Sequence, residues 1–355
     1  MTALKSIEWL DGKVRIIDQT QLPNELVALD IFDYKDLIEA IKRLSIRGAP
    51  ALGVAAAFGV VLAVWSLDKE DRATFFEIVN NAISDFRESR PTAKNLFWAL
   101  ERMRRVISRN LNKTLAQIKK GLLSEALAIQ ADDIQRCLKI GEYGAELLKN
   151  RATILTHCNA GIFATAGHGT ALGVIYTAIE KGKRIKVFVD ETRPLLQGAR
   201  LSVYELLDSD IDVTLICDSS AAYVMKQGLI DYVIVGADRI TRNGDVANKI
   251  GTYSLAVLAE KHGIPFYVAA PLSTCDFDLA DGKDIMIEER NSEEVTKIGS
   301  VVIAPEGVNV YNPAFDVTPH NLISAIITEK GVVTPPYEQN LKSLLEPISP
   351  RNRRQ

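Results

Sequence analysis

Ala152-Thr153-Ile154-Leu155-Thr156-His157-Cys158-Asn159-Ala160-Gly161 is the stretch from which the fold is read. A short β-rich run, Ala152–Thr156, stops at a polar loop closed by glycine, and a helical pattern follows near 164–181. The same figure recurs downstream. Ile185–Val189 precedes a helix near 196–207, Val213–Cys217 one near 219–228, and Tyr232–Val235 one near 249–262. Pro265–Ala269 follows, and Val301–Ala304 reads as a later strand. Strands alternating with helices predict a parallel sheet with helices on both faces. In such sheets a ligand sits beyond the carboxyl ends of the strands, so the residues just past each strand matter most.

Upstream the rhythm differs. Residues 1–20 read as one or two short strands with a turn at Asp11-Gly12, and from about Tyr34 to Lys149 the pattern is helical. Phe75, Phe76, Val79 and Ile83, then Leu96, Leu100 and Met103, repeat at helical spacing and are read as core. Gly48 to Leu67 carries no charge. Its Ala and Gly content gives it little hydrophobic weight, so it reads as a buried helix rather than a membrane span.

The bulk numbers agree with a packed protein of two domains. The chain has 355 residues, 47% hydrophobic and 25% charged, with net charge −3. Such a balance supplies no basic field for nucleic acid; the one basic run, Arg351, Arg353 and Arg354, reads as a frayed tail. The four cysteines form no C-x-x-C pair, which suits a reducing, cytoplasmic setting, and no secretory signal is expected.

Four loops after strands gather polar residues: His157 to Gly161, Asp190 to Arg200, Gly236 to Lys249, and Ala270 to Thr274. Cys158 lies past a strand and ahead of a helix, whose N-terminus is expected to lower the thiol pKa. Asp238 follows Gly236-Ala237; burial would raise its pKa and fit it to act as an acid. Arg47 precedes Gly48-Ala49-Pro50 at the start of the apolar helix, an anion site in the making. Arg90, before Pro91 and another helix, repeats that arrangement, and Lys249 can add a point charge. Gly167-His168-Gly169 with Gly173 imitates a dinucleotide fingerprint, but it does not open directly after a strand and its glycines read as helical. No Walker loop, serine elbow or paired-histidine metal motif is present, so neither cofactor nor metal is expected. What remains is proton chemistry on a small anion.

Taken together, Ile46-Arg47-Gly48-Ala49-Pro50, Ser89-Arg90-Pro91-Thr92, Thr156 to Gly161, Asp190 to Pro194 with Gln197 to Arg200, Val235 to Ile240 and Asn243 to Lys249 resemble the methylthioribose-1-phosphate isomerase family. Phe315 to Pro319 and Ile326 to Glu329 extend the match. The resemblance implies an α/β fold: a mainly helical N-terminal domain with a small β-sheet, and a Rossmann-like parallel-sheet C-terminal domain. We set these at 1–128 and 129–346, with a flexible tail at 347–355. It implies Cys158 and Asp238 as catalytic residues, and Arg47, Gly48, Ala49, Arg90, Gln197, Asn248 and Lys249 as substrate-binding ones. It also implies a sugar-phosphate substrate and a homodimer, with no membrane or nucleic-acid partner. Two positions depart from the family pattern, Asp218-Ser219-Ser220 and His168, both expected near the substrate. Isomerisation of 5-deoxyribose 1-phosphate or ribose 1,5-bisphosphate is a related expectation, and a non-catalytic regulatory subunit an opposing one.

Overall fold

The computed structural model describes residues 4–67, 71–90 and 93–345. The expected tail at 347–355, with its arginines, lies outside them, as does Pro91.

Strands β1 (Ile7–Leu10), β2 (Lys13–Ile17) and β3 (Ala28–Ile31) form an antiparallel sheet, with the expected turn at Asp11-Gly12. Helices α1 (Tyr34–Lys42), α2 (Ala49–Trp65), α3 (Arg72–Ser89), α4 (Lys94–Arg109) and α5 (Leu115–Leu147) follow. The uncharged stretch is α2, and it is buried on nearly every side. A helix apolar all round belongs inside a core. Phe58 of α2 is fully buried, Trp9 of β1 sits 5.9 Å from its ring, and Phe75 and Phe86 of α3 close the other side. Among the described residues no helix is long and apolar enough to cross a membrane.

Helix α5 runs unbroken through positions 128 and 129. Its first half, with Ile118, Leu122 and Ile129, packs on the α2 core, while Ile140 and Ala145 pack on the sheet beyond. One helix therefore serves both cores.

The main sheet has seven strands: β4 (Ala152–Thr156), β5 (Ile185–Asp190), β6 (Val213–Ile216), β7 (Tyr232–Val235), β10 (Phe266–Ala269), β15 (Ala325–Thr328) and β16 (Gly331–Val333). Their order is β6-β5-β4-β7-β10-β15-β16, parallel except for the antiparallel β15–β16 pair. The chain thus works outward from β4 in one direction, then returns to β7 and works outward in the other. Side chains alternate between the two faces: Ile154 and Ile234 join one core, Leu155, Val233 and Val235 the other. Burial on both faces explains why β7 is apolar throughout. Helices α6 (Ala171–Glu180), α7 (Val203–Asp208), α8 (Ala221–Lys226) and α9 (Thr252–His262) fill the connections.

Several expectations need correction. α6 begins at Ala171 rather than near 164, because Ile162–Ala164 makes one 3-10 turn and an irregular loop intervenes. Gly167 and Gly169 therefore lie outside the helix, and only Gly173 is in it. The helix expected near 249–262 is α9, but the residues between β7 and it are not a plain loop. Instead β8 (Arg239–Thr241), β9 (Val246–Lys249), β11 (Cys275–Asp276) and β14 (Phe315–Thr318) build a second sheet, ordered β11-β8-β9-β14. The strand expected at Val301–Ala304 is only β13 (Val301–Val302), paired with β12 (Lys297–Ile298) in a hairpin outside the main sheet. Short helices α10 (Glu293–Thr296) and α11 (Tyr337–Ser343) complete the chain.

Candidate active site

A change of direction in a doubly wound sheet leaves a crevice between the two strands where it occurs. Here those strands are β4 and β7. Cys158 follows the first and Asp238 the second, and both line one cleft. All nine residues singled out in the sequence line it: Arg47, Gly48, Ala49, Arg90, Cys158, Gln197, Asp238, Asn248 and Lys249.

Cys158 holds a left-handed backbone, φ 62°, which is costly for a residue with a side chain and marks a constrained site. Its N–H donates to Thr192 Oγ1 at 2.8 Å, and its carbonyl accepts from Ser202 Oγ at 2.7 Å. Thr192 is held in turn, its N–H donating to Asp218 at 2.8 Å. The expected helix N-terminus is not what acts on the thiol, since α6 starts thirteen residues later. Burial pushes the thiol pKa up, and Arg47 and Lys249 pull against that. For Asp238, burial likewise pushes the carboxyl up, opposed by Lys249, Arg47 and Arg90. The expectation of a raised carboxyl is met by this environment.

The cations arrive from separate elements. Arg47 precedes α2; its Nη2 donates to the Asn159 carbonyl at 2.7 Å. Gly48, the N-cap of α2, has φ 95°, and a Cβ there would come within 2.5 Å of the Ala164 backbone. Only glycine lets α2 start this close to the loop after β4, with Pro50 in its first turn as expected. Arg90 differs from expectation: it caps the C-terminal end of α3, and α4 begins only at Lys94. Lys249 is the last residue of β9 and lies 4.7 Å above the Phe315 ring. Burial draws its ammonium pKa down, while Cys158 and Asp238 raise it. Asn248, on the same strand, donates to Thr252 Oγ1 at 3.0 Å.

Sequence reasoning missed Arg290, which lines the cleft from a stretch without a long helix or strand to flag it. It pairs with Glu294 at 2.7 Å and Glu288 at 2.9 Å, so its charge is largely spent. It also missed Glu205, whose only signal is an acidic residue amid the apolar α7 pattern. That carboxyl is fully buried and accepts from Asn159 Nδ2, Ile162 N, Phe163 N and Tyr176 OH. Asp218 and His168 do not line the cleft. Asp218 supports Thr192 and Arg193 from behind, and His168 bonds Thr177 Oγ1 at 2.8 Å beside Tyr176.

Among the described residues one trio, His157, Asp190 and Asp218, brings possible metal ligands within 4.8 Å of one another. Most of its polar atoms are already engaged, although Asp190 Oδ1 has no hydrogen-bond partner. His157 Nε2 meets the Ile250 carbonyl at 2.9 Å and Nδ1 meets Asp190 at 3.0 Å; two acceptors raise its pKa against the pull of burial. Asp218 accepts two backbone N–H groups. The trio braces the Cys158 loop.

Four buried polar atoms of cleft-lining residues have no hydrogen-bond partner: Arg47 Nη1, Arg90 Nε, Asn159 Oδ1 and Gln197 Oε1. Two charged donors and two acceptors match a ligand bearing both phosphate and hydroxyls. A model of the initiation factor 2 subunit family matches residues 45–335, which include every residue of this set. The chain belongs to that family. Within it, the chain is 54% identical to methylthioribose-1-phosphate isomerase of Carboxydothermus hydrogenoformans over 341 residues, 96% of this chain and 99% of the relative. It is also 54% identical to 5-deoxyribose 1-phosphate isomerase of Moorella thermoacetica over 339 residues, 96% and 97% of the two chains. The solved structure of 5-methylthioribose 1-phosphate isomerase from Pyrococcus horikoshii superposes with a TM-score of 0.90 at 47% identity, covering 97% of this chain and 96% of that one. Family membership thus brings the cleft and these isomerases together.

Proposed function

We propose that the chain converts 5-methylthioribose 1-phosphate to 5-methylthioribulose 1-phosphate, an aldose–ketose isomerisation in methionine salvage. The observation that carries the reading is the union, in one cleft, of Cys158, a carboxyl pushed toward its protonated form, and the cations Arg47, Arg90 and Lys249. Relatives of near full-length coverage carry that activity in their names.

The chemistry is set by the substrate. Its phosphate occupies the anomeric oxygen, so the ring cannot open to a free aldehyde. Protonated Asp238 gives its proton to the ring oxygen as the C1–O bond breaks. Cys158, as thiolate, takes the proton from C2 to leave an enol; the thiol then protonates C1 while the C2 hydroxyl passes its proton to the Asp238 carboxylate and becomes the ketone. The working microstate carries the proton on Asp238 and none on Cys158. A low-dielectric cleft strengthens both effects. Arg47, Arg90, Lys249 and the start of α2 at Gly48-Ala49 hold the phosphate, and Gln197 and Asn248 hold the sugar.

An apolar pocket adjoins the cleft, sharing Gly48, Ala49, Arg90, Asp238 and Phe315 with it and adding Leu52, Ala93, Ile285 and Ile287. We assign the C5 substituent to it. Arg239 also lines it but is engaged by Asp276 at 3.5 Å. The aliphatic part of these walls, Leu52, Ala93, Ile285 and Ile287, suits a methylthio or methyl group. The Moorella relative gives 5-deoxyribose 1-phosphate a specific claim as a second substrate. The same reading takes 129–346 as a Rossmann-like catalytic domain beside a helical one at 1–128, in a cytoplasmic homodimer without a nucleic-acid partner.

The test is a turnover assay with 5-methylthioribose 1-phosphate, 5-deoxyribose 1-phosphate and ribose 1,5-bisphosphate. The first is expected to be fastest and the last inert. Asp238→Asn and Cys158→Ala are each expected to lose at least about 10²-fold in kcat while folding normally. Unchanged kcat in either variant removes that residue from the mechanism. Full retention of C2 deuterium at C1 would replace the proton path by a hydride shift.

A further inference from the structure

We infer that Asn159 is a further substrate-binding residue, its amide locked by Glu205 and Ser202 so that Oδ1 accepts a hydrogen bond from a ribose hydroxyl beside Cys158. The inference rests on the sugar-phosphate reading above.

Asn159 is 4% exposed and lines the cleft next to Cys158. Its amide can face its neighbours with nitrogen or with oxygen, and each neighbour decides the matter independently. Ser202 Oγ spends its proton on the Cys158 carbonyl at 2.7 Å, so toward Asn159 it can only accept. Glu205 presents two oxygens that already take the backbone N–H groups of Ile162, at 2.6 Å, and Phe163, at 3.3 Å. Both partners therefore require Nδ2, which lies 2.7 Å from Glu205 Oε1 and 3.2 Å from Ser202 Oγ. Oδ1 is left as a buried acceptor with no partner. The backbone is fixed as well, because the Asn159 carbonyl accepts from Arg47 Nη2 at 2.7 Å.

Apart from Gln197 Oε1, the other buried cleft-lining atoms without a partner are the donors Arg47 Nη1 and Arg90 Nε. A sugar hydroxyl needs an acceptor for its proton, and a buried acceptor without one costs free energy. Asn159 Oδ1 supplies it next to the thiol, where the carbon that loses its proton is expected. Glu205 acts as a positioning residue. Gly161 stands against that carboxyl, where any Cβ would come within 2.1 Å of Oε2, so the loop is built around it.

The test uses 5-methylthioribitol 1-phosphate, which has no carbonyl to form or lose, with its 2-deoxy and 3-deoxy forms. Their affinities are measured by calorimetry for wild type, Asn159→Ala and Glu205→Gln. Wild type is expected to bind one deoxy form roughly 10- to 100-fold more weakly than the parent. Asn159→Ala is expected to bind the parent and that deoxy form alike. Glu205→Gln, which lets the amide turn over, is expected to lose the same discrimination. Equal binding of all three compounds by wild type overturns the inference even if neither variant folds. Retained discrimination in folded Asn159→Ala overturns it too, as does failure of wild type to bind the parent. Turnover of 5-methylthioribose 1-phosphate by the same wild-type sample reports separately on the sugar-phosphate reading.

Discussion

At the scale of single residues, the site is a contest between burial and charge. Burial raises the pKa of both Cys158 and Asp238, and Lys249 and Arg47 oppose it at each. Removing a cation must therefore raise the thiol pKa further. The alkylation rate of Cys158, followed by peptide mass to separate it from exposed Cys217, is expected to rise with a midpoint above the ordinary value of 9.0. Lys249→Met is expected to move that midpoint up; a downward shift would contradict the charge assignment. Much at this scale was legible. Cys158, Asp238 and Lys249 stand in the loops and edges that come after β4 and β7, where any parallel sheet exposes its functional groups. Asn159 and Glu205 were not singled out, because their roles depend on which atoms face each other across 46 residues of sequence. Asp218 and His168 misled for the converse reason: nearness in sequence to a cleft loop does not place a side chain in the cleft.

At the scale of elements, the start of α2 does most to shape the phosphate end. Gly48 combines a positive φ with a backbone neighbour that leaves no room for a methyl group. Gly48→Ala is expected to cost about 1–3 kcal/mol of stability and to weaken binding of inorganic phosphate. Denaturant midpoints and phosphate titration check this, and an unchanged midpoint would contradict it. The parallel strands were legible as continuous apolar runs, since both faces are covered. The second sheet was not. β8 is three residues long, β11 two, and β9 ends in Asn248-Lys249, polar residues that read as loop. Their strand character comes from pairing rather than from local pattern: β9 pairs with β14, nearly 70 residues away, β8 with β9, and β11 with β8.

At the scale of the whole molecule, α5 ties the two cores together, and Asp133 sits at its middle. That carboxyl is buried, accepts from the Ala166 N–H at 2.7 Å, and has its pKa pushed up to about 6 by burial. Between the ordinary value of 3.8 and about 6 the folded protein holds this proton more tightly than the unfolded chain. Its contribution to stability is therefore present at low pH and lost as pH rises through that window. The loss has a ceiling of about 3 kcal/mol. Asp133→Asn is expected to remove this slope in unfolding midpoints taken across the window; an unchanged slope would contradict it. The same two-core frame sets Cys158 and Asp238 on the sheet and Arg47 and Arg90 on the helical side, so the cleft exists only when both are packed together. The central claim is that this cleft forms a ketone at C2 without releasing phosphate. Carbon-13 NMR of 5-methylthioribose 1-phosphate labelled at C2 tests it most directly. The C2 signal is expected to move from the carbinol to the ketone range while phosphorus NMR still shows a phosphate ester. A C2 signal that stays put, or free phosphate appearing as it moves, would contradict the account.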